Sequence, residues 1–280
     1  MKKPLIFTDL DGTLLDHATY SCLPAYPALQ LIRERNIQLV FCSSKTRKEI
    51  EHYRRLLDNH APFVTENGGG IFIPTGYFDL STLPPELAAE RESGYTVIRL
   101  GALYAHLRRA LHELRTEGFA VTGFGDMTAV EVSNLTGLDI EQATMAKERD
   151  FDEPFLFGGS ISEKVALRAR IEEKGFQSTR GRLCHILGNS DKGKAVAILV
   201  NLYRKMGGTG VVIALGDAPN DLPMLQQADI PVAIRKPDGS HDARLAMPGL
   251  RKTAGIGPTG WNEAVLHILR ELDRNHRPAI

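Results

Sequence analysis

Short apolar runs of strand length alternate with amphipathic stretches at the start of the chain. Leu5-Ile6-Phe7, Ile37-Gln38-Leu39-Val40-Phe41-Cys42 and Pro62-Phe63-Val64-Thr65 each read as a buried strand that ends in polar residues. Between them, residues 24–35 place Leu29, Leu31 and Ile32 at helical spacing with Asn36 as a stop, and residues 47–57 form a second amphipathic helix. Strand, helix, strand, helix predicts a parallel sheet with helices on its faces. Ligands of such sheets bind at the carboxyl ends of the strands.

From about Leu83 the rhythm changes, beginning with Pro84-Pro85 and a charged segment over 86–92. Strand-like Tyr95-Thr96-Val97-Ile98, a helix over 103–114, strand-like 119–122, two helical pieces around Gly137, and strand-like 154–157 follow. A helix over 163–173 and short strands over 176–179 and 183–187 complete the segment. Without strict alternation, this reads as an α+β module inserted in the core. The α/β rhythm then resumes with a long helix from 192 to 206, an apolar strand Gly210-Val211-Val212-Ile213-Ala214-Leu215, a helix over 222–227, a strand over 230–234 and a closing helix over 261–272. Residues 275–280 are expected to fray. The predicted fold class is α/β, a doubly wound parallel sheet over 1–83 and 188–280 with an inserted α+β cap over 84–187.

Lys+Arg and Asp+Glu both number 34, so net charge is zero and the global basic footprint of a nucleic-acid binder is missing. No apolar run approaches the ~20 residues that cross a bilayer, and Met1-Lys2-Lys3 leads straight into the first strand without a signal-like segment. These features predict a cytoplasmic protein without nucleic-acid or membrane partners, as a monomer or small homo-oligomer. Cys22, Cys42 and Cys184 are odd in number and widely spaced, which fits neither a disulfide framework nor a zinc site.

The candidate chemistry gathers where strands end. Asp9 and Asp11 are two apart after Leu5-Ile6-Phe7-Thr8, so in an extended segment their side chains share one face, and Gly12 permits a sharp turn. Adjacent carboxylates repel unless a cation lies between them, so this pair asks for Mg²⁺; a plain Asp-Gly turn is the alternative. Asp217 and Asp221 stand four apart at the end of another apolar strand, again an oxygen-rich cluster suited to Mg²⁺. Ser43, with Ser44 beside it, ends the second strand and either donates to a phosphoryl oxygen or caps the next helix. Glu66-Asn67-Gly68-Gly69-Gly70 ends the third strand as a substrate contact or a hairpin turn. Lys192 in a first helical turn is slightly disfavoured by the helix dipole, which hints at a role beyond helix stability; a solvated surface lysine is the alternative.

Asp9-Leu10-Asp11-Gly12-Thr13, Ser43 after its strand, Lys192-Gly193-Lys194-Ala195 and Gly216-Asp217-Ala218-Pro219-Asn220-Asp221 resemble, in order, the four motifs of the haloacid dehalogenase superfamily. Ser43-Ser44-Lys45-Thr46, Thr65-Glu66-Asn67-Gly68-Gly69, the segment 146–155, Gly181-Arg182-Leu183-Cys184-His185 and Lys236-Pro237-Asp238-Gly239 are more specifically similar to the mannosyl-3-phosphoglycerate phosphatase family. The resemblance implies a Mg²⁺-dependent phosphatase acting on a small phosphorylated sugar or glycerate. It implies Asp9 as nucleophile and Asp11 as general acid/base, with Ser43 and Lys192 on the phosphoryl oxygens and Asp9, Asp11, Asp217 and Asp221 at the metal. Ser44, Glu66, Asn67, Arg149, Arg182 and Ser160 are the expected substrate contacts, Ser160 alternatively capping the helix that follows it. Arg180 and His185 are weaker candidates. A phosphosugar mutase and a non-catalytic phosphosugar sensor remain the rival readings.

Overall fold

The structure, a computed structural model, describes residues 2–81, 83, 84, 87, 89–180 and 183–275, the side chains of Arg180 and Asn275 excepted. The elements in chain order begin β1 (Leu5–Thr8), α1 (Tyr26–Glu34), β2 (Gln38–Phe41), α2 (Arg47–Leu56), β3 (Phe63–Thr65) and β4 (Gly70–Pro74). They continue β5 (Ala89–Glu92), β6 (Tyr95–Arg99), α3 (Tyr104–Thr116), β7 (Val121–Gly123), α4 (Ala129–Thr136), α5 (Ile140–Lys147) and β8 (Asp152–Phe157). Next come α6 (Ile161–Glu173), β9 (Gln177–Arg180), β10 (Cys184–Leu187), α7 (Lys192–Lys205), β11 (Val212–Gly216) and α8 (Leu222–Leu225). The chain closes with β12 (Ile230–Arg235), β13 (Arg251–Ile256) and α9 (Gly257–Asn275). Two compact units emerge, one of Met1–Phe41 with Tyr203–Ile280 and one of Cys42–Leu202.

The first unit holds the five-stranded parallel sheet in the order β13-β12-β11-β1-β2. From β1 the chain steps to β2 on one side, and β11 returns on the other side of β1. The two neighbours β1 and β11 therefore flank the switch point of a doubly wound sheet, where ligands of such folds bind. Leu5, Ile6, Phe7, Val212, Ile213, Ala214 and Leu215 are all buried, as the apolar runs require for strands covered on both faces. Helix α9 covers this sheet with Val265, Ile268 and Leu269, and its fully buried Trp261 donates from Nε1 to Thr8 Oγ1 at 2.9 Å. Thr8 Oγ1 in turn donates to the carbonyl of Asp9 at 2.7 Å. A buried indole N–H thus gains the partner it needs, and the end of β1 is fixed by it.

The second unit carries two antiparallel sheets, β3-β4-β6-β5 and β7-β8-β10-β9. Helices α3 and α6 pack Leu107, Leu111, Leu114, Leu167 and Ile171 onto Val121, Phe155 and Ile186 of the second sheet. Gly137, at φ 78, ends α4 in the left-handed conformation that a glycine adopts without penalty.

Two strands are absent from the sequence reading. β5, Ala89-Glu90-Arg91-Glu92, falls in the charged segment over 86–92, and β13, Arg251–Ile256, carries no apolar run. Both are edge strands, which take their place from one hydrogen-bonding neighbour, β6 and β12 respectively, and need little apolar surface of their own. No helix among the described residues is long and apolar enough to cross a membrane.

Because Trp261 fills the core and also fixes the end of β1, Trp261→Ala is expected to lower unfolding free energy by about 3–5 kcal/mol. Urea denaturation followed by circular dichroism measures it. A loss under about 1 kcal/mol, the range of an ordinary surface change, would remove Trp261 from this role.

Candidate active site

In the first unit, β1 delivers Asp9 beyond its last residue, and the Asp9 N–H still donates to the Leu215 carbonyl of β11 at 2.9 Å. The chain then folds back through Gly12, whose φ of +75 suits glycine, and Leu15 N–H returns to the Leu10 carbonyl at 2.8 Å. A Cβ at Gly12 would lie 2.9 Å from Asp217 Oδ2, so the absence of a side chain there lets the Asp217 carboxylate approach the turn. On the β11 side, the N–H groups of Asp217 and Ala218 both donate to Asp221 Oδ2 at 3.0 Å. A Cβ on Gly216 would sit 2.5 Å from that of Asp221, so glycine is required for this carboxylate to tuck under the turn.

The outcome is a buried cluster in which one carboxylate oxygen each of Asp9, Asp217 and Asp221 lies within 4.8 Å of the others. Thr13 Oγ1 donates to Asp217 Oδ1 at 3.4 Å, a positioning contact that the motif reading left without a role. Three like charges at such spacing are stabilised by a cation, and an all-oxygen donor set suits a hard one. Asp11, half-buried and bridged to Leu15, is not part of that cluster.

In the second unit, the loops after β2 and β3 are stitched together. Ser43 is fully buried, its N–H donates to the Val64 carbonyl at 3.1 Å, and its Oγ accepts from Lys45 N–H at 3.2 Å. The cap of α2 is Thr46, which forms a capping box with Glu49, so neither Ser43 nor Ser44 is used as a helix cap. Ser44 is half-buried, and its carbonyl accepts from Arg149 Nη1 at 3.0 Å. Arg149 Nε donates to the Ala146 carbonyl at 2.9 Å, and its guanidinium lies 5.9 Å from the Phe124 ring centre. Burial alone would lower the Arg149 pKa, but the carboxylates of Asp152, Glu66, Glu49 and Glu153 raise it.

Glu66 and Asn67 both occupy the left-handed region, at φ 48 and φ 57, which is uncommon for side-chain-bearing residues. The conformation turns the Glu66 carboxylate inward, where the N–H groups of Asp150, Phe151 and Asp152 all donate to it at 2.8–3.1 Å. Burial pushes the carboxyl up to about 8, against the pull of Arg149 and of the Phe151 and Asp150 N–H groups. Asn67 Nδ2 donates to Asp152 Oδ2 at 2.6 Å, and His185 Nδ1 lies 2.9 Å from Asp152 Oδ1. Burial disfavours the charged form of Asp152, yet His185, Arg149 and Asn67 together hold its pKa below the ordinary value. A Cβ on Gly68 would meet the Asp191 carbonyl at 2.1 Å, so this glycine lets the start of α7 lie against the loop. Lys192, fully buried, stands in that first turn, and Asp191 caps the helix by accepting from Lys194 N–H at 2.8 Å.

Ser160 caps α6 with Glu163, which is the capping alternative raised above. Arg182 lies outside the described residues. The pairing of Asp152 with His185 had no signal in the sequence beyond their residue types, because β8 and β10 bring them together from 33 positions apart.

A family model described as haloacid dehalogenase-like hydrolase matches residues 6–90 and 159–240. The chain is 46% identical over 270 residues, 95% of its own length and 97% of the relative's, to a glucosyl-3-phosphoglycerate/mannosyl-3-phosphoglycerate phosphatase of Methanococcoides burtonii. It is 37% identical over 227 residues, 80% of its length and 88% of the relative's, to a mannosyl-3-phosphoglycerate phosphatase of Pyrococcus furiosus. A solved Thermoplasma acidophilum protein shares the fold with a TM-score of 0.66 at 16% identity, over 96% of this chain and 99% of that one. With its carboxylate cluster at the switch point of a doubly wound sheet and these matches along its length, the chain belongs to the haloacid dehalogenase-like hydrolase family.

Proposed function

We propose that this protein is a Mg²⁺-dependent phosphatase that releases phosphate from a glycosyl-3-phosphoglycerate, glucosyl or mannosyl. The observation that carries the reading is the buried Asp9, Asp217 and Asp221 cluster at the carboxyl ends of β1 and β11. The relatives named as glucosyl- or mannosyl-3-phosphoglycerate phosphatases support the substrate. Asp9, Asp217 and Asp221 would hold the metal, and the close approach that Gly12 permits to Asp217 fits that donor set. When bound, Mg²⁺ neutralises charge on the phosphoryl group.

The Asp9 carboxylate attacks phosphorus, forming an aspartyl-phosphate as the bond to the glycerate oxygen breaks. Asp11 protonates that leaving oxygen, then takes a proton from the water that hydrolyses the aspartyl-phosphate. The Asp11 carboxylate stands apart from the cluster of Asp9, Asp217 and Asp221, which favours a proton-transfer role for its side chain, while a main-chain carbonyl near Asp11 would complete the metal's donors. The Ser43 hydroxyl and the Lys192 ammonium bind the equatorial oxygens, where charge gathers in the transition state. These groups handle only the phosphoryl moiety, so choice of leaving group falls to the inserted segment 84–187 as a cap, with Arg149 among its contacts.

Asp9→Asn is expected to retain the fold and lose phosphate release, because an amide of the same volume is not a nucleophile. Rapid-quench labelling checks this, and a phosphoenzyme trapped equally on wild type and Asp9→Asn would remove Asp9 from its role. Excess chelator should abolish turnover and added Mg²⁺ restore it, whereas Zn²⁺ should substitute poorly for hard oxygen donors. Full turnover in chelator would detach the carboxylate cluster from catalysis. Across a substrate panel, glucosyl- or mannosyl-3-phosphoglycerate should show a higher kcat/KM than 3-phosphoglycerate or a hexose phosphate, since remote contacts raise kcat when they drive closure. Preference for a hexose phosphate would sink the substrate while leaving the phosphatase chemistry standing.

A further inference from the structure

The turn Glu66-Asn67-Gly68-Gly69-Gly70 joins stretches of the second unit that are far apart in sequence. Its main chain rests on the turn after β2, where Glu66 N–H donates to the Lys45 carbonyl and Asn67 N–H to the Ser43 carbonyl, both at 3.0 Å. The Glu66 carboxylate, fully buried, accepts from the N–H groups of Asp150, Phe151 and Asp152 at 2.8–3.1 Å. The glycines form a socket for the buried Phe151. A Cβ on Gly69 would lie 2.3 Å from that of Phe151, and one on Gly70 would lie 2.6 Å from its ring. Gly101 closes the socket, since a Cβ there would lie 2.9 Å from the Phe151 Cβ, and its N–H donates to the Gly69 carbonyl at 2.9 Å.

Arg149 immediately precedes this clamped stretch. Its Nη1 donates to the Ser44 carbonyl at 3.0 Å, on the same turn that carries Ser43 and Lys45, and its Nε donates to the Ala146 carbonyl at 2.9 Å. These bonds close a circuit from Arg149 through Ser44 and Lys45 to Glu66, and back through Asp150. Both acceptors of Arg149 are neutral, no carboxylate is hydrogen-bonded to it among the described residues, and Nη2 meets no acceptor there. The guanidinium is therefore held in place with donors left for an anionic ligand. Glu66 and Asn67, at φ 48 and φ 57, keep their left-handed conformation because neighbours hold them on both sides, and backbone strain of this kind gathers where a site is pre-organised.

We propose that Glu66 and Phe151 are positioning residues for Arg149, the turn 66–70 clamping the segment 150–152 so that the guanidinium is fixed beside the Ser43 turn before substrate arrives. An arginine fixed in this way gives up little rotamer freedom when it binds an anionic group. The inference rests on the reading of Arg149 as a substrate contact, and it makes Glu66 act through Arg149.

The test compares kcat/KM for mannosyl- and glucosyl-3-phosphoglycerate with kcat/KM for p-nitrophenyl phosphate, which lacks the remote contacts, on the full chain with Mg²⁺. Glu66→Gln keeps the volume but sets an amide NH₂ against the N–H groups of 150–152, and is expected to lower the ratio of glycosylated to generic substrate about 10-fold, the order of loss from a misplaced binding group. Arg149→Ala should lower the ratio by about 10-fold or more, since it removes a charged hydrogen-bond donor. The double variant should match Arg149→Ala alone, because a residue that acts through Arg149 then has nothing left to position. Phe151→Leu leaves the N–H donors in place and should lower the ratio about 3-fold, again only while Arg149 is present. It carries the test if circular dichroism shows that Glu66→Gln does not fold. An unchanged ratio in the folded variants, equal loss on both kinds of substrate, or losses that multiply in the double variant overturn the proposal. If Arg149→Ala itself leaves the ratio unchanged, the reading of Arg149 as a substrate contact fails and the proposal falls with it, a result visible without any variant of Glu66 or Phe151.

Discussion

Three carboxylates crowded within 4.8 Å of one another are the constraint around which the first unit is arranged. Each would lie farther from the others in water, so the fold must supply what holds them. Main-chain donors take one oxygen of Asp221, the Leu215 carbonyl fixes the Asp9 peptide, and Thr13 reaches Asp217. Two glycines remove the side chains that would forbid the approach. Repulsion of this kind is tolerated at a functional site because the rest of the sheet, apolar on both faces, outweighs it.

The second unit meets a different demand, the burial of ionisable groups. Glu66, Asp152, Glu153 and Lys192 are all fully buried, and polar groups there must be matched. Glu66 is matched by three main-chain N–H groups and Asp152 by Asn67 and His185, while Glu153 takes Tyr104 Oη at 2.8 Å and Arg108 Nη1 at 2.7 Å. Removing one partner from such a network leaves a buried polar or charged group to bear its desolvation cost unmatched. That makes these residues poor places for substitution, whatever their part in binding.

The parallel sheet and the ends of its strands were legible because apolar runs stop abruptly at Thr8 and Leu215 and hand over to Asp-rich turns. Period and punctuation are local properties, so a sequence carries them openly. The edge strands β5 and β13 escaped because their pairing is set by a neighbour rather than by their own residues. The setting of Glu66 is hidden in the sequence for a related reason. Its side-chain type is visible in sequence, but the donors that occupy it lie 84–86 positions away. Ser160 followed by Glu163 matches a capping box in sequence and is one in the structure, a case where the local rule was sufficient.

The left-handed pair Glu66 and Asn67 also bears on how the second unit holds together. The hairpin of β3 and β4 joins strands only a few residues apart and closes a short loop, whereas every bond from Glu66 to residues 150–152 closes a long one. Those long-range bonds therefore offset more chain entropy than the hairpin's own, and they tie to one side chain two stretches that the sequence keeps far apart.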